Sequence, residues 1–574
     1  MYIIPNPQKW EIKDEKIDIK SVYVEGNCDC IYKFAGLLNE DTKGVKISFR
    51  KTDELCGEHY KIEIDTNGIT VMHGTAEGAY RATSTLKQIL AQREDGKINC
   101  MSIDDYPDIP NRGYMLDISR GRIPNLSHIK TMVDILADLK YNQLQLYMET
   151  FVYEYKNFTE YTKDTEPLTQ AEIKELDAYC KEHFITLVPN QNSFGHMAAW
   201  TSQKELSHLA ITDEDGKPSA TLNPLLDETM EFIDKVYDGY FDAFSSDMVN
   251  IGMDETFDLG LNETKEACEK YGTGKVYTDY LVKVCKLISE KYGKTPMFWD
   301  DIVFKHPEQI ENVPENAIFM DWGYETIEHF DRNCQRLKER GFRYYLCPGT
   351  SMWKSYTGRC DNMIINIASS AECAKYYDAE GFLLTEWGDG GHPQFPATAM
   401  FPAVFGGAMS WKAGLGHPET AFDYRRELIG ECKQYTDKYI YGCTGEKSLA
   451  DIVYRMGNYY LLEHAPLHNG TELDMYMEEE EIPEEKVRAF KNVKRYMTEL
   501  RDELSEVTAD ETAIREIKVN CDMVIFIASK LIGDNLDYKN EFEALKAEFE
   551  ELWMMKNHRA GINICMDKLE KAIL

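Results

Sequence analysis

Short apolar runs separated by stretches of helical spacing fill the middle of the chain. Eight such runs lie between Arg112 and about Ala413. They are Gly113–Ile118, Gln143–Met148, Ile185–Pro189, Met248–Gly252, Met297–Trp299, Ile318–Asp321, Arg343–Cys347 and Phe382–Thr385. Eight strands that alternate with helices over about 300 residues predict a (β/α)8 barrel with its active site at the carboxyl ends of the strands. A doubly wound open sheet is the alternative, but no glycine-rich phosphate loop follows the first run.

The two ends of the chain show other patterns. Apolar and polar residues alternate over Tyr60–Met72 on both sides of Thr66-Asn67-Gly68, which predicts a hairpin, and helical spacing follows over Gly78–Glu94. After about Gly414 the apolar spacing is helical. The predicted fold class is therefore α/β. We expect a small N-terminal α/β domain (1–106), a (β/α)8 TIM barrel catalytic domain (107–415) and an α-helical C-terminal domain (416–574).

Composition and charge narrow the class of protein. The chain has 574 residues, of which 43% are hydrophobic, and this is enough for two or three domains. A net charge of −35 disfavours nucleic acid and anionic membranes as partners. No apolar run approaches the roughly 20 residues that span a bilayer, and residues 1–10 lack a basic segment followed by an apolar one. We therefore expect a cytoplasmic protein without a membrane partner.

The cysteines also indicate a cytoplasmic protein. There are 15 of them, an odd number, mostly single and within apolar stretches, which indicates reduced thiols in the core. Only Cys28-Asp29-Cys30 is clustered. No second Cys or His pair lies nearby at ligand spacing, so we predict no metal site there.

Carboxylates and tryptophans follow most of the predicted barrel strands. The segments at these strand ends are Glu149, Asn190 to His196, Asp254-Glu255, Trp299-Asp300-Asp301, Asp321-Trp322 and Glu386-Trp387-Gly388-Asp389. Tryptophan faces stack on the apolar C–H faces of sugar rings, and carboxylates accept hydrogen bonds from hydroxyl groups. This mixture favours a sugar site over a phosphate site.

The pair Asp254-Glu255 is the strongest catalytic candidate. An apolar run, Val249-Asn250-Ile251, ends there beside Gly252. Adjacent residues of a strand point to opposite faces, so both carboxylates can reach one substrate only if the strand ends and the chain turns. Two carboxyl groups suit acid/base chemistry when one is kept protonated and the other ionised.

Four segments resemble glycoside hydrolase family 20, the β-N-acetylhexosaminidases. They are Arg112-Gly113 leading into Met115-Leu116-Asp117-Ile118-Ser119-Arg120, Phe194-Gly195-His196, Asn250 to Thr256, and Glu386 to Asp389. The chain looks most similar to cytoplasmic bacterial β-N-acetylglucosaminidases of Gram-positive organisms. The resemblance implies a retaining exo-hydrolase that removes terminal β-linked GlcNAc, with GalNAc as an open alternative. In that family the substrate's acetamido oxygen, rather than an enzyme side chain, attacks C1. No cofactor is implied, and a homodimer is a further expectation.

The resemblance also implies roles for individual residues. Glu255 is the expected general acid/base, and Asp254 is expected to orient the acetamido group and stabilise an oxazolinium-like intermediate. Substrate-binding roles are expected for Arg112 at the ring hydroxyls, for Asp389 at O4 and O6, and for Trp299, Trp322 and Trp387 around the acetamido group. His196 is expected in an acidic network with Glu149, whose own role is open, as is the choice of Tyr345 or Trp353 at the acetamido oxygen. Asp117 and Arg120 are expected to form a buried ion pair that shapes the rim.

Two other functions stay open on the sequence. One is a metal-dependent barrel hydrolase that uses His196, Asp254, Asp300 and Asp389, although no His-x-His pair follows the first run, where such sites commonly place ligands. The other is a sugar-binding protein with an inactive barrel, which only a turnover measurement excludes.

Overall fold

The computed structural model of the chain describes residues 1–25, 39–41, 43–163, 165–414, 418–477, 479 and 481–571. The Cys28-Asp29-Cys30 cluster and the predicted domain boundary between residues 415 and 416 therefore lie outside the described residues. The cysteines within the described ranges are free thiols, and most are buried.

The described residues up to Asp105 form a seven-stranded sheet with one α-helix. Its elements are β1 (Lys9–Asp18), β2 (Ser21–Glu25), β3 (Asn39–Glu40), β4 (Val45–Lys51), β5 (Tyr60–Asp65), β6 (Gly68–His73), α1 (Ala76–Ala91) and β7 (Lys97–Asp105). The strand order is β1-β7-β5-β6-β4-β2-β3. The predicted hairpin is confirmed, because β5 and β6 pair antiparallel with Asp65 opposite Gly68. Leu86 and Ile89 of α1 pack on the sheet, which gives the predicted small α/β unit.

Eight parallel strands close into a barrel, which confirms the predicted fold class. The strands after β7 are β8 (Asn111–Asp117), β9 (Gln143–Met148), β10 (Thr186–Gln191), β11 (Ala210–Thr212), β12 (Pro218–Leu222), β13 (Met248–Asn250), β14 (Thr295–Trp299), β15 (Ile318–Trp322), β16 (Arg343–Cys347) and β17 (Gly381–Glu386). All but β11 and β12, a separate antiparallel ribbon, belong to the barrel, in the order β10-β13-β14-β15-β16-β17-β8-β9. Each barrel strand coincides with one of the predicted apolar runs.

Helices surround the barrel and form the C-terminal region. Around the barrel lie α2 (Leu126–Asp138), α3 (Gln170–Glu182), α4 (Ala198–Thr201), α5 (Asp227–Tyr237), α6 (Asn262–Tyr271), α7 (Thr273–Lys286), α8 (Asp301–Lys305), α9 (Phe330–Glu339), α10 (Cys360–Tyr376) and α11 (Pro396–Trp411). The C-terminal helices are α12 (Pro418–Tyr435), α13 (Leu449–Met456), α14 (Glu472–Tyr476), α15 (Glu484–Leu504), α16 (Glu511–Leu531), α17 (Tyr538–Lys556) and α18 (Ile562–Lys571). Within the described ranges, none of these helices has the length and apolar character needed to cross a membrane.

The C-terminal helices pack directly on the loops that follow the barrel strands. Asn520 of α16 accepts a hydrogen bond from the backbone N–H of Phe395 at 2.8 Å, and the thiol of Cys565 in α18 donates to the carbonyl oxygen of Gly391. Both of these backbone groups belong to the connection between β17 and α11. The helical region therefore supports the loop that carries Trp387 and Asp389.

Candidate active site

One pocket lies at the carboxyl ends of the barrel strands. It is lined by Arg120, His196, Asp254, Glu255, Trp299, Trp322, Tyr324, Trp387, Asp389 and Asn469. Seven of these ten residues are among the site residues predicted from the sequence.

The turn after β13 brings both catalytic candidates into the pocket. Gly252, Met253 and Glu255 have positive φ values of 72°, 84° and 50°, so the strand ends abruptly and adjacent side chains no longer alternate between faces. A Cβ on Gly252 would lie 1.8 Å from Oδ1 of Asn192, which leaves room only for glycine. The carbonyl oxygen of Gly252 accepts from the backbone N–H of Trp299 at 2.9 Å, and that of Met253 accepts from the Tyr277 hydroxyl at 3.0 Å. These contacts hold a backbone conformation that is costly for side chains other than glycine.

His196 joins three carboxylates. Its Nε2 lies 3.3 Å from Oδ2 of Asp254 and 3.2 Å from Oε2 of Glu255, and its Nδ1 lies 3.5 Å from Oε2 of Glu149. Burial alone would lower the pKa of His196, but the neighbouring carboxylates, Asp254 first, outweigh it and raise that pKa well above its usual value. The imidazole is therefore a cation at neutral pH and ties the catalytic pair to Glu149.

Arg120 is the second cation of the pocket. Its guanidinium contacts Asp117 at 2.8 Å, Glu149 at 3.3 Å and Asp389 at 3.3 Å. It also lies against two aromatic rings that touch each other, 5.2 Å from the centre of Tyr147 and 5.1 Å from that of Trp387. The expected ion pair with Asp117 is present, but Arg120 lines the pocket as well. Its place in the pocket could have been inferred from its position directly after the first predicted strand, at the same end as the other polar residues.

Aromatic rings form the deep wall of the pocket. Trp387 donates from Nε1 to the Tyr324 hydroxyl at 2.8 Å, and the ring centres of Trp299 and Trp387 are 5.9 Å apart. Tyr324 stacks on Trp322 with ring centres 5.2 Å apart and an angle of 24°. Tyr324 was not expected at the site, although it follows Trp322 by only two positions at the end of β15. Trp353 lies behind the wall with its ring centre 5.1 Å from that of Tyr324.

Arg112 does not reach the pocket, which corrects its expected role in binding the sugar. It is the second residue of β8 and so lies at the opposite end of the barrel. Its guanidinium is buried against the N-terminal domain, with Nη2 2.5 Å from Oε1 of Glu58 and 2.8 Å from the carbonyl oxygen of Lys140. The arginine before Gly113 is thus structural, and the pocket arginine comes eight positions later.

Tyr345 is also outside the pocket. It lies inside the barrel, fully buried, with its hydroxyl 4.0 Å from the sulfur of Met248 near the amino end of β13. Tyr345 therefore has no access to a bound sugar, which corrects its expected place at the acetamido oxygen. Of the two expected residues, only Trp353 comes near the pocket.

Three further acids lie beneath the catalytic turn. Burial first, and then the charge of Asp254, raise the pKa of Asp301 to about 7. Burial and the facing carboxyl of Asp321 raise the pKa of Asp300 well above its usual value. Across the part of the chain that the structure describes, no group of three or more His, Cys, Asp or Glu side chains has an arrangement that could hold a metal ion.

A barrel with adjacent carboxylates and tryptophans at its carboxyl end has the architecture of a glycoside hydrolase. Two sequence models match this chain: "Glycosyl hydrolase family 20, catalytic domain" over residues 110–381, and "Glycosyl hydrolase family 20, domain 2" over residues 1–106. The chain therefore belongs to glycoside hydrolase family 20.

Individual relatives are similar over part of their length. The chain is 26% identical to the β-hexosaminidase subunit beta of Entamoeba histolytica over 274 residues, which is 43% of this chain and 48% of that protein. It is 25% identical to the β-hexosaminidase subunit alpha of Bos taurus over 310 residues, which is 50% of this chain and 57% of that protein. The chain thus spans about half the length of the curated relatives that it matches.

Solved structures share the fold. A Flavobacterium johnsoniae chitobiase superposes with a TM-score of 0.63 at 17% identity and covers 96% of this chain and 98% of its own. A Bacteroides fragilis β-N-acetylhexosaminidase has a TM-score of 0.61 at 19% identity and covers 76% of this chain and 96% of its own. These identities support a likeness of fold alone.

Proposed function

We propose that this protein is a retaining exo-β-N-acetylhexosaminidase that removes a terminal β-linked GlcNAc by substrate-assisted catalysis. One observation carries the proposal: Asp254 and Glu255 enter the same small pocket, each bonded to the cationic His196, in front of a wall of tryptophans. Three relatives add support, because the structure of a Vibrio harveyi exo-β-N-acetylglucosaminidase holds N-acetylglucosamine, and the relatives from Entamoeba histolytica and Bos taurus are β-hexosaminidases.

The surroundings of Asp254 suit it to the acetamido group. Its side chain is buried, Oδ2 is held by His196, and Oδ1 has no hydrogen-bond partner among the described residues. A buried carboxylate oxygen without a donor is costly in the empty site, and an acetamido N–H supplies that donor. In our proposal this contact aims the acetamido carbonyl oxygen at C1, and the carboxylate then stabilises the positive charge of the oxazolinium-like intermediate.

Glu255 is placed for the proton transfers. Its side chain is 36% exposed, so it stands at the mouth of the pocket, where a leaving group departs and water enters. We assign it protonation of the glycosidic oxygen in the first step and deprotonation of water in the second. His196 holds the carboxylate in place from the buried side.

We assign the acetamido carbonyl oxygen to Tyr324, in place of Tyr345 and Trp353. The Tyr324 hydroxyl accepts from Trp387 Nε1 and also contacts the Thr385 hydroxyl, so in our proposal its own proton turns to the acetamido oxygen when the sugar binds. Its ring stacks on Trp322, which closes the acetamido side. Replacement of Tyr324 by Phe removes one donor and should lower kcat/KM for N-acetyl substrates about tenfold.

The first experiment compares 4-nitrophenyl β-GlcNAc with the matching β-glucoside, with and without EDTA. Turnover of the N-acetyl compound alone, unchanged by the chelator, supports the proposal. Loss of turnover in EDTA would support a metal-dependent hydrolase, and no turnover of either compound would support a binding protein. The GalNAc substrate measured beside them determines the epimer preference.

Variants and modified substrates test the mechanism. Glu255→Gln should abolish turnover of substrates with poor leaving groups, and Asp254→Asn should slow every N-acetyl substrate, while Glu266→Gln, on the exposed surface of α6, serves as the control. Fluorine atoms on the acetamido methyl group weaken the carbonyl nucleophile, so the rate should fall with each fluorine added. A rate that ignores fluorination would exclude attack by the acetamido oxygen.

A cytoplasmic location, a homodimer and kinship with the enzymes of Gram-positive bacteria belong to the same proposal and stay predictions. The acidic net charge of −35 supports a protein that acts away from anionic surfaces. Light scattering during size-exclusion chromatography tests the dimer directly.

A further inference from the structure

A short turn of the C-terminal region reaches into the pocket. Leu467 and Gly470 pair across it, and Asn469 at its tip has a left-handed backbone with φ of 59°, a conformation that asparagine adopts more readily than most residues. We call residues 467–470 the pocket turn. Among the described residues that line the pocket, Asn469 alone comes from beyond the barrel, far along the chain from β17.

Buried ionic contacts fix the position of the pocket turn. Glu325 accepts from the backbone N–H of Asn469 at 2.7 Å and pairs with Arg359 at 3.0 Å. Arg359 in turn donates to the carbonyl oxygen of Leu467 at 3.2 Å. The turn is thus tied to the loops after β15 and β16, and its tip is held against the aromatic wall.

The orientation of the Asn469 amide follows from its neighbour. Trp353 donates from Nε1 to Oδ1 of Asn469 at 2.6 Å, and an indole N–H can only donate. The oxygen of the amide must therefore face Trp353, and Nδ2 points away from it. Nδ2 has no hydrogen-bond partner in the described part of the chain. Asn469 thus offers an N–H donor to a ligand in the pocket.

The pocket turn also packs on the loop after β16. Gly470 packs against Lys354, since a Cβ on Gly470 would lie 3.5 Å from Cβ of Lys354, and the carbonyl oxygen of Lys354 accepts from the Thr471 hydroxyl at 3.0 Å. Asn469 and Asp389 both line the pocket, so both can reach one bound sugar.

We propose that Asn469 donates from Nδ2 to a hydroxyl group on the C4–C6 edge of the bound sugar, so that the C-terminal helical region completes the substrate site. The inference rests on the proposed function, because it needs a sugar whose acetamido end faces Trp299, Trp387 and Asp254. Asp389 then accepts from the same edge to which Asn469 donates. Together they fix both the donor and the acceptor pattern of the sugar hydroxyls.

Two substitutions remove the donor in different ways. Asn469→Asp keeps the shape and the acceptor for Trp353 but cannot donate, and Asn469→Gly removes the side chain while it tolerates the left-handed backbone. Each should lower kcat/KM for 4-nitrophenyl β-GlcNAc about 2- to 13-fold, the range expected for one neutral hydrogen bond. His468→Ala, an exposed neighbour in the same turn, is the matched control and should leave kcat/KM unchanged.

Deoxy substrates separate a direct contact from a structural effect. The 4-deoxy and 6-deoxy analogues are measured with the wild type, Asn469→Asp and Asn469→Gly. The inference holds if both variants lower kcat/KM for the normal substrate but leave kcat/KM for one of the two analogues at the wild-type value. It is overturned if the loss is the same on all three substrates, or if there is no loss.

The wild-type measurements also show whether the proposed function itself has failed, rather than only the contact of Asn469. In that case the wild type turns over none of the substrates, and calorimetric titration with GlcNAc, 4-deoxy-GlcNAc and 6-deoxy-GlcNAc then replaces turnover. Weaker binding of GlcNAc by both variants, with no change for one analogue, supports the contact. Equal affinities in the wild type and the variants refute it.

Discussion

Two arginines eight positions apart should respond to substitution in opposite ways. Arg112 is the second residue of the barrel strand β8, and Arg120 follows the carboxyl end of the same strand. We predict that Arg112→Met destabilises the fold without changing KM or kcat, whereas Arg120→Met leaves a stable protein that has lost most of its activity. The sequence resemblance alone implied the reverse for Arg112.

The magnitude for Arg112 follows from its contacts. Its guanidinium donates to the carbonyl oxygens of Lys140, Ile109 and Pro110 at 2.8–3.0 Å and pairs with Glu58, and only 1% of its surface is exposed. Methionine would leave the buried carbonyl groups of Ile109 and Lys140 without these donors, at about 1–3 kcal/mol each, whereas the carbonyl oxygen of the exposed Pro110 keeps a donor in Asn142 at 2.8 Å. Glu58 keeps its pairing with Arg81 at 2.7 Å, which limits the loss. We therefore expect the free energy of unfolding to fall by about 3–5 kcal/mol.

Arg120 should behave differently. Its carboxylate partners lie around the pocket, and Asp117 keeps two backbone donors, the N–H groups of Ser119 and Gly388 at 2.9 Å. Methionine can also pack against the rings of Tyr147 and Trp387. The stability cost is therefore smaller than for Arg112. A charged donor to a substrate hydroxyl contributes about 1.5–3 kcal/mol, so kcat/KM should fall by about 10- to 100-fold or more.

The assay is thermal unfolding of the purified variants beside steady-state kinetics on 4-nitrophenyl β-GlcNAc. Arg112→Lys serves as a second variant, because lysine keeps the charge but cannot supply the same set of planar donors. The reasoning is refuted if Arg112→Met unfolds at the wild-type temperature with a raised KM, or if Arg120→Met loses stability but keeps its kcat/KM.

Three further predictions concern charges and space around the catalytic turn. The folded-state pKa of His196 is raised above 6.5, so the stabilisation that its protonated form gives to the fold should be complete below pH 6.5. This stabilisation should decline as the pH rises toward the folded-state pKa. The difference in unfolding free energy between wild type and His196→Asn, measured across pH, checks the prediction. The pKa of Asp301 is raised from 3.8 to about 7, so the unfolding free energy of the wild type should fall as the pH rises through that window. Asp301→Asn should flatten this part of the plot of unfolding free energy against pH, and an unchanged plot would contradict the prediction. Gly195→Ala would place a Cβ 2.1 Å from the carbonyl oxygen of Asp254, so kcat should drop by at least about 100-fold, and a wild-type kcat would show that the loop can shift.

The parts of the site that could be predicted from the sequence are those that lie at the ends of recognisable strands. Buried parallel strands are continuous apolar runs, and the carboxyl ends of barrel strands share one rim. Asp254, Glu255 and the three strand-end tryptophans could therefore be placed at that rim from the sequence alone. Arg112 was misplaced because a strand of seven residues has two ends, and only the carboxyl end faces the pocket. A residue near the start of a barrel strand belongs to the opposite face.

Tyr324 and Asn469 could not be predicted in the same way. Tyr324 lies past the end of β15, where loop geometry rather than strand period decides its direction. Asn469 belongs to a region whose helical spacing carries no information about a turn between helices. Its place in the pocket depends on the long-range contacts of Glu325 and Arg359, which join segments far apart in sequence.

The balance of charge explains why the site needs both of its cations. Four carboxyl groups, Glu149, Asp254, Glu255 and Asp389, surround one small pocket, and His196 and Arg120 contact all four. Burial raises the pKa values of Glu149 and Asp389; Arg120 opposes this rise at both groups, and His196 opposes it at Glu149. In the proposed mechanism the carboxylate of Asp254 stands beside C1, where a glycosidic transition state develops positive charge. The two cations therefore hold the carboxyl groups of the pocket in place, and Arg120 also offers a donor to the substrate.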